Sequence, residues 1–302
     1  MPNTLEHYRQ VEAKVAAFAD GTIEAGLERV RGFNWQTASD AAYAEGIVYW
    51  ANGYLKAAAE AFVRALRADP ESPLARVGFA MLVLTGDEQA AELARLDSEW
   101  PEVARVQLCL GALIQMNGDF DGAIARYRRA LELLPGSPTA LLSLGIALRE
   151  KGAADEAAQQ ARELSRVLPS SPSFQAKGIR LLYSLGHHRE ARKMAKEVEI
   201  RLGIRGFARA LPFASLSPSK QRRVSGLTVI AIVCAAAIYF ALLLATRDPW
   251  SLAGELLVAL EVCLFLLMLV LDGMSGRSRL ARNMRELKAF QRELARGDAY
   301  QD

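Results

Sequence analysis

The sequence repeats with a period of 31 to 34 residues, and this period restricts the possible folds more than any other feature. The string Pro-x-Ser-Pro begins at Pro70, Pro135 and Pro169, and Pro101 falls in the same phase. One glycine recurs in each period, at Gly53, Gly86, Gly118, Gly152 and Gly186. The residues between are largely helix formers such as Ala, Leu and Arg. Because Gly accepts tight turns and Pro ends one helix or begins another, each unit is predicted to be helix, Gly turn, helix, Pro turn.

Small and large residues also keep fixed positions within the units. The first unit has Gly46, Gly53, Ala58, Phe62, Ala65 and Pro70, and the third has Gly111, Gly118, Ala123, Tyr127, Ala130 and Pro135. In these positions the chain resembles the tetratricopeptide repeat (TPR) family over about residues 39–203. The resemblance implies an all-α, right-handed solenoid of about five helix-turn-helix units with a concave groove. Three units depart from the pattern: the second, around Gly78, is shortened, the fourth has Ala161 in place of the large residue, and the fifth has Ile179 where the small residue belongs.

The resemblance also implies which side chains face the groove, because the first helix of each unit lines it. The residues predicted to contact a protein partner are Tyr43, Ile47, Trp50, Phe79, Leu82, Leu108, Met116, Leu142, Ile146 and Tyr183. Most of them are apolar, which suits an amphipathic helix or an extended peptide. Residues 4–32 have a helical pattern too, either as a divergent unit or as a cap. The sequence leaves open whether the helix over residues 4–19 fills the groove itself.

Two apolar runs of 20 residues follow the repeats. Residues 227–246 carry no charge, and residues 252–271 carry only Glu255 and Glu261. Twenty helical residues extend about 30 Å, which is the thickness of the hydrocarbon core of a membrane. The short link between the runs contains Pro249 and Trp250, as expected for a tight turn at the interface. The sequence therefore predicts a transmembrane helical hairpin over residues 227–271.

The positive charges beside these runs predict their orientation. Lys220, Arg222 and Arg223 precede the first run, whereas the link holds only Arg247. The second run is followed by Arg277, Arg279, Arg282, Arg285 and Lys288. Since Lys and Arg favour the cytoplasmic side, the solenoid and both termini are expected in the cytoplasm, at the inner membrane of a bacterium. Lys220, Arg222 and Arg223 are also expected to lie near anionic lipids.

Glu261 stands out because an ionisable residue near the bilayer centre is costly. Tyr239 of the first run is expected at a similar depth and is the predicted partner of this carboxyl group. One interpretation is that the pair orients the hairpin or a homo-oligomer. The other is that Glu261 couples protons or contacts another membrane subunit.

Five segments are expected. Residues 1–38 form N-terminal helices, 39–203 the solenoid, 204–226 a basic juxtamembrane linker, 227–271 the hairpin and 272–302 a basic amphipathic cytoplasmic tail. The apolar stripe of the tail suits three arrangements, which are lying on the membrane, docking on the solenoid or pairing with another copy.

The expected function is that of a membrane-anchored TPR scaffold that recruits a protein partner or helps assemble a membrane complex. The alternative is an integral subunit of a transport, secretion or pilus-type machine that works through Glu261. No catalytic motif occurs in the sequence, so neither an enzyme, a cofactor nor a metal site is expected. The formal net charge of +3 gives no indication of a nucleic-acid partner. Expected partners are a protein in the groove, membrane lipids and a second copy through the hairpin or the tail.

Overall fold

The computed structural model describes residues 4–19, 22–167, 172–203, 207–214 and 282–292. These residues form helices, and no strand occurs among them. The helices are α1 (Leu5–Phe18), α2 (Ile23–Gly32), α3 (Ala38–Ala51), α4 (Leu55–Ala68), α5 (Pro73–Leu82), α6 (Gly86–Glu99), α7 (Ala104–Met116), α8 (Phe120–Leu133), α9 (Pro138–Lys151), α10 (Ala154–Val167), α11 (Pro172–Ser184), α12 (His188–Leu202), α13 (Phe207–Ala214) and α14 (residues 282–292).

Five successive helix pairs, from α3/α4 to α11/α12, form the predicted solenoid. The first helices of neighbouring units contact each other, and each second helix also packs on the first helix of the next unit. The five glycines expected in the turns all have positive φ, from 57° at Gly86 to 91° at Gly186. At the starts of α5 and α9, the hydroxyls of Ser72 and Ser137 accept hydrogen bonds from backbone amides, and a proline occupies the first turn. The prediction of an all-α solenoid is therefore confirmed.

Glycines let aromatic rings fill the space between helices. Phe62 of α4 is fully buried between Gly46 of its own unit and Gly78 of the next. A methyl group added at Gly78 would lie 2.5 Å from a ring carbon of Phe62, and one at Gly111 would lie 2.6 Å from the ring of Tyr127. No side chain fits at such distances, so a large ring and a small residue are needed together.

In the fourth and fifth units, other residues fill the space between the helices. Leu181 of α11 occupies the space beside Gly145, where a methyl group would lie 2.7 Å from its Cδ2 atom. The repeat pattern places a large residue at position 161, where this chain has Ala161, and Leu181 fills the corresponding space. In the fifth unit Gly178, rather than Ile179, makes the close approach, since its added methyl would lie 2.8 Å from the Ala161 carbonyl oxygen. Ile179 itself is fully buried.

The described residues up to Leu211 and those from Asn283 to 292 belong to one compact unit. A second unit covers Pro212–Arg282, of which only residues 212–214 and 282 are described. Within the described ranges, no helix is both long and apolar enough to cross a membrane. The predicted hairpin, with Tyr239 and Glu261, and the basic residues Lys220, Arg222 and Arg223 lie outside those ranges, and the predicted domain boundaries stay predictions.

Candidate functional site

The predicted groove residues fall into two sets with different surroundings. In the first three units, the side chains of Tyr43, Ile47, Leu82 and Leu108 are buried, with exposed fractions of 1 to 8%. Trp50 and Phe79 are half-buried against the same core. These residues do not form an open apolar surface, because the chain covers them itself.

Helix α1 covers this first half of the groove. Tyr8, Val11 and Val15 belong to the same core cluster as Tyr43 and Ile47. The Tyr8 ring packs edge-on against Trp100, with centroids 5.6 Å apart. Further along, Ala16 shares a small cavity with residues of α7 and of the start of α9. The question that the sequence left open is thus answered. In this structure α1 occupies the first half of the groove, and five of the residues expected to meet a partner belong to or pack against the core that includes α1.

One end of α1 is held by a buried polar pair. His7 Nε2 lies 3.1 Å from Asp40 Oδ2, and both side chains are almost inaccessible. Asp40 also accepts a hydrogen bond of 2.8 Å from the hydroxyl of Thr37, which precedes α3. Asp40 is therefore fixed by its own helix start and presents its carboxylate to α1.

A second buried pair joins α1 to the third unit. Glu12 Oε1 lies 3.5 Å from Arg105 Nε of α7, and Tyr43 and Cys109 are close enough to interact with them electrostatically. Burial raises the pKa of Glu12 to about 7, and Arg105 opposes that shift only in part. Burial likewise raises the pKa of the Cys109 thiol to about 12, which disfavours the reactive thiolate.

The contact between α1 and the groove is imperfect in its polar groups. Two buried atoms of α1, Tyr8 Oη and Glu12 Oε2, have no hydrogen-bond partner among the described residues. A buried polar atom without a partner costs about 1–3 kcal/mol. The burial of apolar side chains therefore holds α1 in place against an opposing polar cost.

Helix α14 covers the turn side of the first two units. Leu287 and Phe290 are buried in the same core cluster as α1. The Asn283 amide donates a hydrogen bond to the carbonyl of Gly53, and the Gln291 amide donates one of 2.8 Å to the carbonyl of Leu82. Carbonyls at the C-terminal end of a helix lack partners within that helix, so α14 supplies the missing donors. Of the three arrangements open to the tail, the structure has docking on the solenoid.

Within the described ranges, neither α1 nor α14 covers the second half of the groove. The core clusters of the fourth and fifth units contain no residue of α1 or α14. Leu142, Ile146 and Tyr183 are half-buried, and Met116 is 79% exposed. The Tyr183 ring lies 4.3 Å from that of His188, with the Arg192 guanidinium 5.9 Å from its centroid. Among the described residues, no cluster of His, Cys, Asp or Glu could hold a metal ion.

The docking of α1 is expected to weaken as the pH rises. The docked state raises the pKa of Glu12 from its usual 4.5 to about 7, so it favours the protonated carboxyl. The stabilisation is complete below about pH 4.5 and is lost as the pH rises to about 7. We expect the opening of α1, measured by amide hydrogen exchange corrected for intrinsic rates, to increase from pH 5 to pH 8. In Glu12→Gln the increase should be much smaller, and an unchanged increase in that variant would assign the pH dependence to other groups.

A family model described as tetratricopeptide repeat matches residues 39–105 and 116–172. The match covers units in which the turn glycines and the Phe62 and Tyr127 packing were found. Over these residues the match supports the predicted tetratricopeptide repeats.

Solved structures with a similar arrangement include TTC0263, a TPR protein of Thermus thermophilus, at 19% identity over 54% of this chain and 90% of that one, with a TM-score of 0.41. PilF of Pseudomonas aeruginosa matches at 20% identity over 66% of this chain and 90% of its own, with a TM-score of 0.38. The RpL4 assembly chaperone Acl4 matches at 15% identity over 70% and 95% of the two chains, with a TM-score of 0.40. None of the curated proteins matches the sequence.

Proposed function

We propose that this tetratricopeptide-repeat protein is a membrane-anchored scaffold without enzymatic activity, which binds a protein partner in the open half of its groove. The observation that carries the proposal is the contrast between the two halves of the concave face. The first half is covered by α1, whereas the second presents Met116, Ile146 and Tyr183 at the surface of the described residues. Exposed apolar side chains that line a groove are typical of a site for an amphipathic helix or an extended peptide.

The position of α14 supports the anchor. Residues before and after the two apolar runs pack into one compact unit, joined by the hydrogen bonds of Asn283 and Gln291 to the first two repeats. Both flanks are then on the same side of any membrane that the intervening chain crosses. Such a chain must cross an even number of times, which agrees with a hairpin over residues 227–271. The basic flanks favour the cytoplasmic side of a bacterial inner membrane, with Lys220, Arg222 and Arg223 near anionic lipids.

Topology can be measured directly. In intact cells, Ser251→Cys in the link between the runs should react with a membrane-impermeant maleimide added outside. Arg205→Cys, which lies before the first run, should react only after the cells are lysed. Labelling of both positions, or of neither, in intact cells would contradict the hairpin.

Partner binding should depend on the open half of the groove. We expect Ile146→Glu to reduce co-purification of the main partner by at least tenfold, because a carboxylate would replace apolar contact at the centre of this surface. Ile200→Glu is the matched control, since Ile200 is 83% exposed on α12, the second helix of its unit. Equal loss in both variants, or no loss in either with unchanged helicity, would contradict the proposed site.

A second function is favoured by the carboxyl group in the second apolar run. Glu261 lies near the middle of residues 252–271, where an ionisable side chain is costly and often functional. If the chain is instead an integral subunit of a transport, secretion or pilus-type machine, replacing residues 227–271 with an unrelated two-span anchor should abolish activity while localisation is retained. Under the scaffold proposal the replacement retains activity, and Glu261 with Tyr239 only orients the hairpin or a homo-oligomer.

A further inference from the structure

The buried residues of α1 are spaced like those of an amphipathic helix that is bound in a groove. Tyr8, Val11, Glu12 and Val15 lie at positions i, i+3, i+4 and i+7, so they form one stripe, and all four are buried against the repeats. The first helices of the five repeat units pack differently, because each pairs closely with its own second helix. Helix α1 instead extends across the concave face, from Asp40 in the first unit to Arg105 in the third.

The repeats do not need α1 for their own packing. The spaces beside Gly46, Gly78 and Gly111 are filled by Phe62 and Tyr127, not by a residue of α1. Departure of α1 would therefore leave the helix pairs intact and expose the Tyr43 and Ile47 side chains with the Trp100 ring. The exposed surface would be apolar, with a carboxylate at Asp40 and a guanidinium at Arg105.

The polar groups of α1 fit this surface only in part. Tyr8 Oη and Glu12 Oε2 on α1 are buried without a hydrogen-bond partner among the described residues. The Glu12–Arg105 contact of 3.5 Å is also long for a charge-assisted hydrogen bond. A helix that places its carboxylate closer to Arg105 would shorten a contact that Glu12 of α1 leaves long.

We propose that the first half of the groove is a second binding site, and that α1 occupies it in competition with an amphipathic helix that carries one carboxylate. The carboxylate pairs with Arg105, apolar residues one turn on either side replace Tyr8 and Val15, and a hydrogen-bond donor five residues earlier meets Asp40 as His7 does. This site goes beyond the proposed function, which uses only the open half, and shares with it the assumption that the concave face binds proteins.

Charge-reversal substitutions in the chain and in a peptide test the proposal. The probe is a fluorescent peptide with the sequence of residues 4–19, and the protein is the full chain in detergent micelles. Glu12→Lys and Arg105→Glu should each displace α1, since both place like charges together in a buried contact. The peptide should bind Glu12→Lys at least tenfold more tightly than the wild type, because α1 no longer competes.

The pattern of which peptide binds which variant distinguishes a specific site from general exposure of apolar surface. The peptide with Glu should bind Glu12→Lys and not Arg105→Glu, whereas the same peptide with Lys in place of Glu12 should bind only Arg105→Glu. The double variant Glu12→Lys with Arg105→Glu restores the internal pair and should bind neither. Glu24→Lys, which changes an exposed charge on α2, should behave as the wild type.

Each outcome decides the proposal. Equal binding of both peptides to both single variants would overturn it, and so would no binding to any variant whose helical circular dichroism is unchanged. The experiment uses a peptide in place of a natural partner. A negative result would therefore not count against partner binding in the open half of the groove. Conversely, loss of partner binding in Ile146→Glu has no bearing on the peptide result.

Discussion

Phe62→Ala is expected to lower the free energy of unfolding of the solenoid by about 3–5 kcal/mol. The ring is fully buried and fills the space between Gly46 and Gly78, so it joins two repeat units at once. Neither glycine has a side chain that could move into the cavity. The loss should appear as a lower midpoint in urea denaturation of the full chain in micelles, followed by circular dichroism.

Phe33→Ala is the control for the removal of an aromatic ring. Phe33 is 36% exposed and contacts Phe18 and Trp35 at the edge of the chain's first helices, so its loss should cost roughly 1 kcal/mol or less. If the two substitutions had equal effects, the pairing of a large ring with two glycines would not be what holds neighbouring repeats together.

Arg105→Glu is expected to release α1 while the repeats stay folded. The substitution sets two carboxyl groups against each other in a buried contact, and breaking a buried ion pair costs about 3–5 kcal/mol. Since 1.4 kcal/mol corresponds to a factor of ten in an equilibrium constant, amide exchange in α1 should accelerate at least a hundredfold. Exchange in α11 and α12, whose core cluster contains no residue of α1, should change little.

The double variant Glu12→Leu with Arg105→Met distinguishes the contribution of the ion pair from that of apolar packing. Two apolar residues of similar volume need no compensating partner, and such replacements are often neutral or stabilising. We therefore expect α1 to stay protected from exchange in this variant. Fast exchange of α1 there would mean that the ion pair itself, rather than apolar burial, holds the helix.

The repeat architecture could be predicted because its determinants are local. Each turn glycine lies between two short helices, and Phe62 and Tyr127 recur at a fixed distance from the small residues that they cover. These features depend on contacts within one unit or with the next. Where a unit departs from the pattern, a residue of another helix compensates, as Leu181 does beside Gly145, and one unit alone does not identify that residue.

The positions of α1 and α14 could not be predicted, because their apolar stripes are compatible with several positions. Glu12 and Arg105 are 93 residues apart and are ordinary charges in sequence, so nothing identifies them as a pair before the fold is known. The groove positions followed from the repeat pattern, yet the burial of Tyr43, Ile47 and Leu82 depends on segments outside the repeats. One signal was present: Glu12 interrupts the apolar stripe of α1 and so requires a polar partner beneath that helix.

Helix α1 closes the first half of the groove, and no helix of the described residues closes the second. Ile47 and Ile146 test it directly, because each follows the small glycine of its unit, Gly46 or Gly145, while only Ile47 lies under α1. In the wild-type background, the cysteine of Ile146→Cys should react with a maleimide at least tenfold faster than that of Ile47→Cys, as read by peptide mapping. Adding Arg105→Glu should remove most of the difference. Equal rates without that substitution would contradict the account.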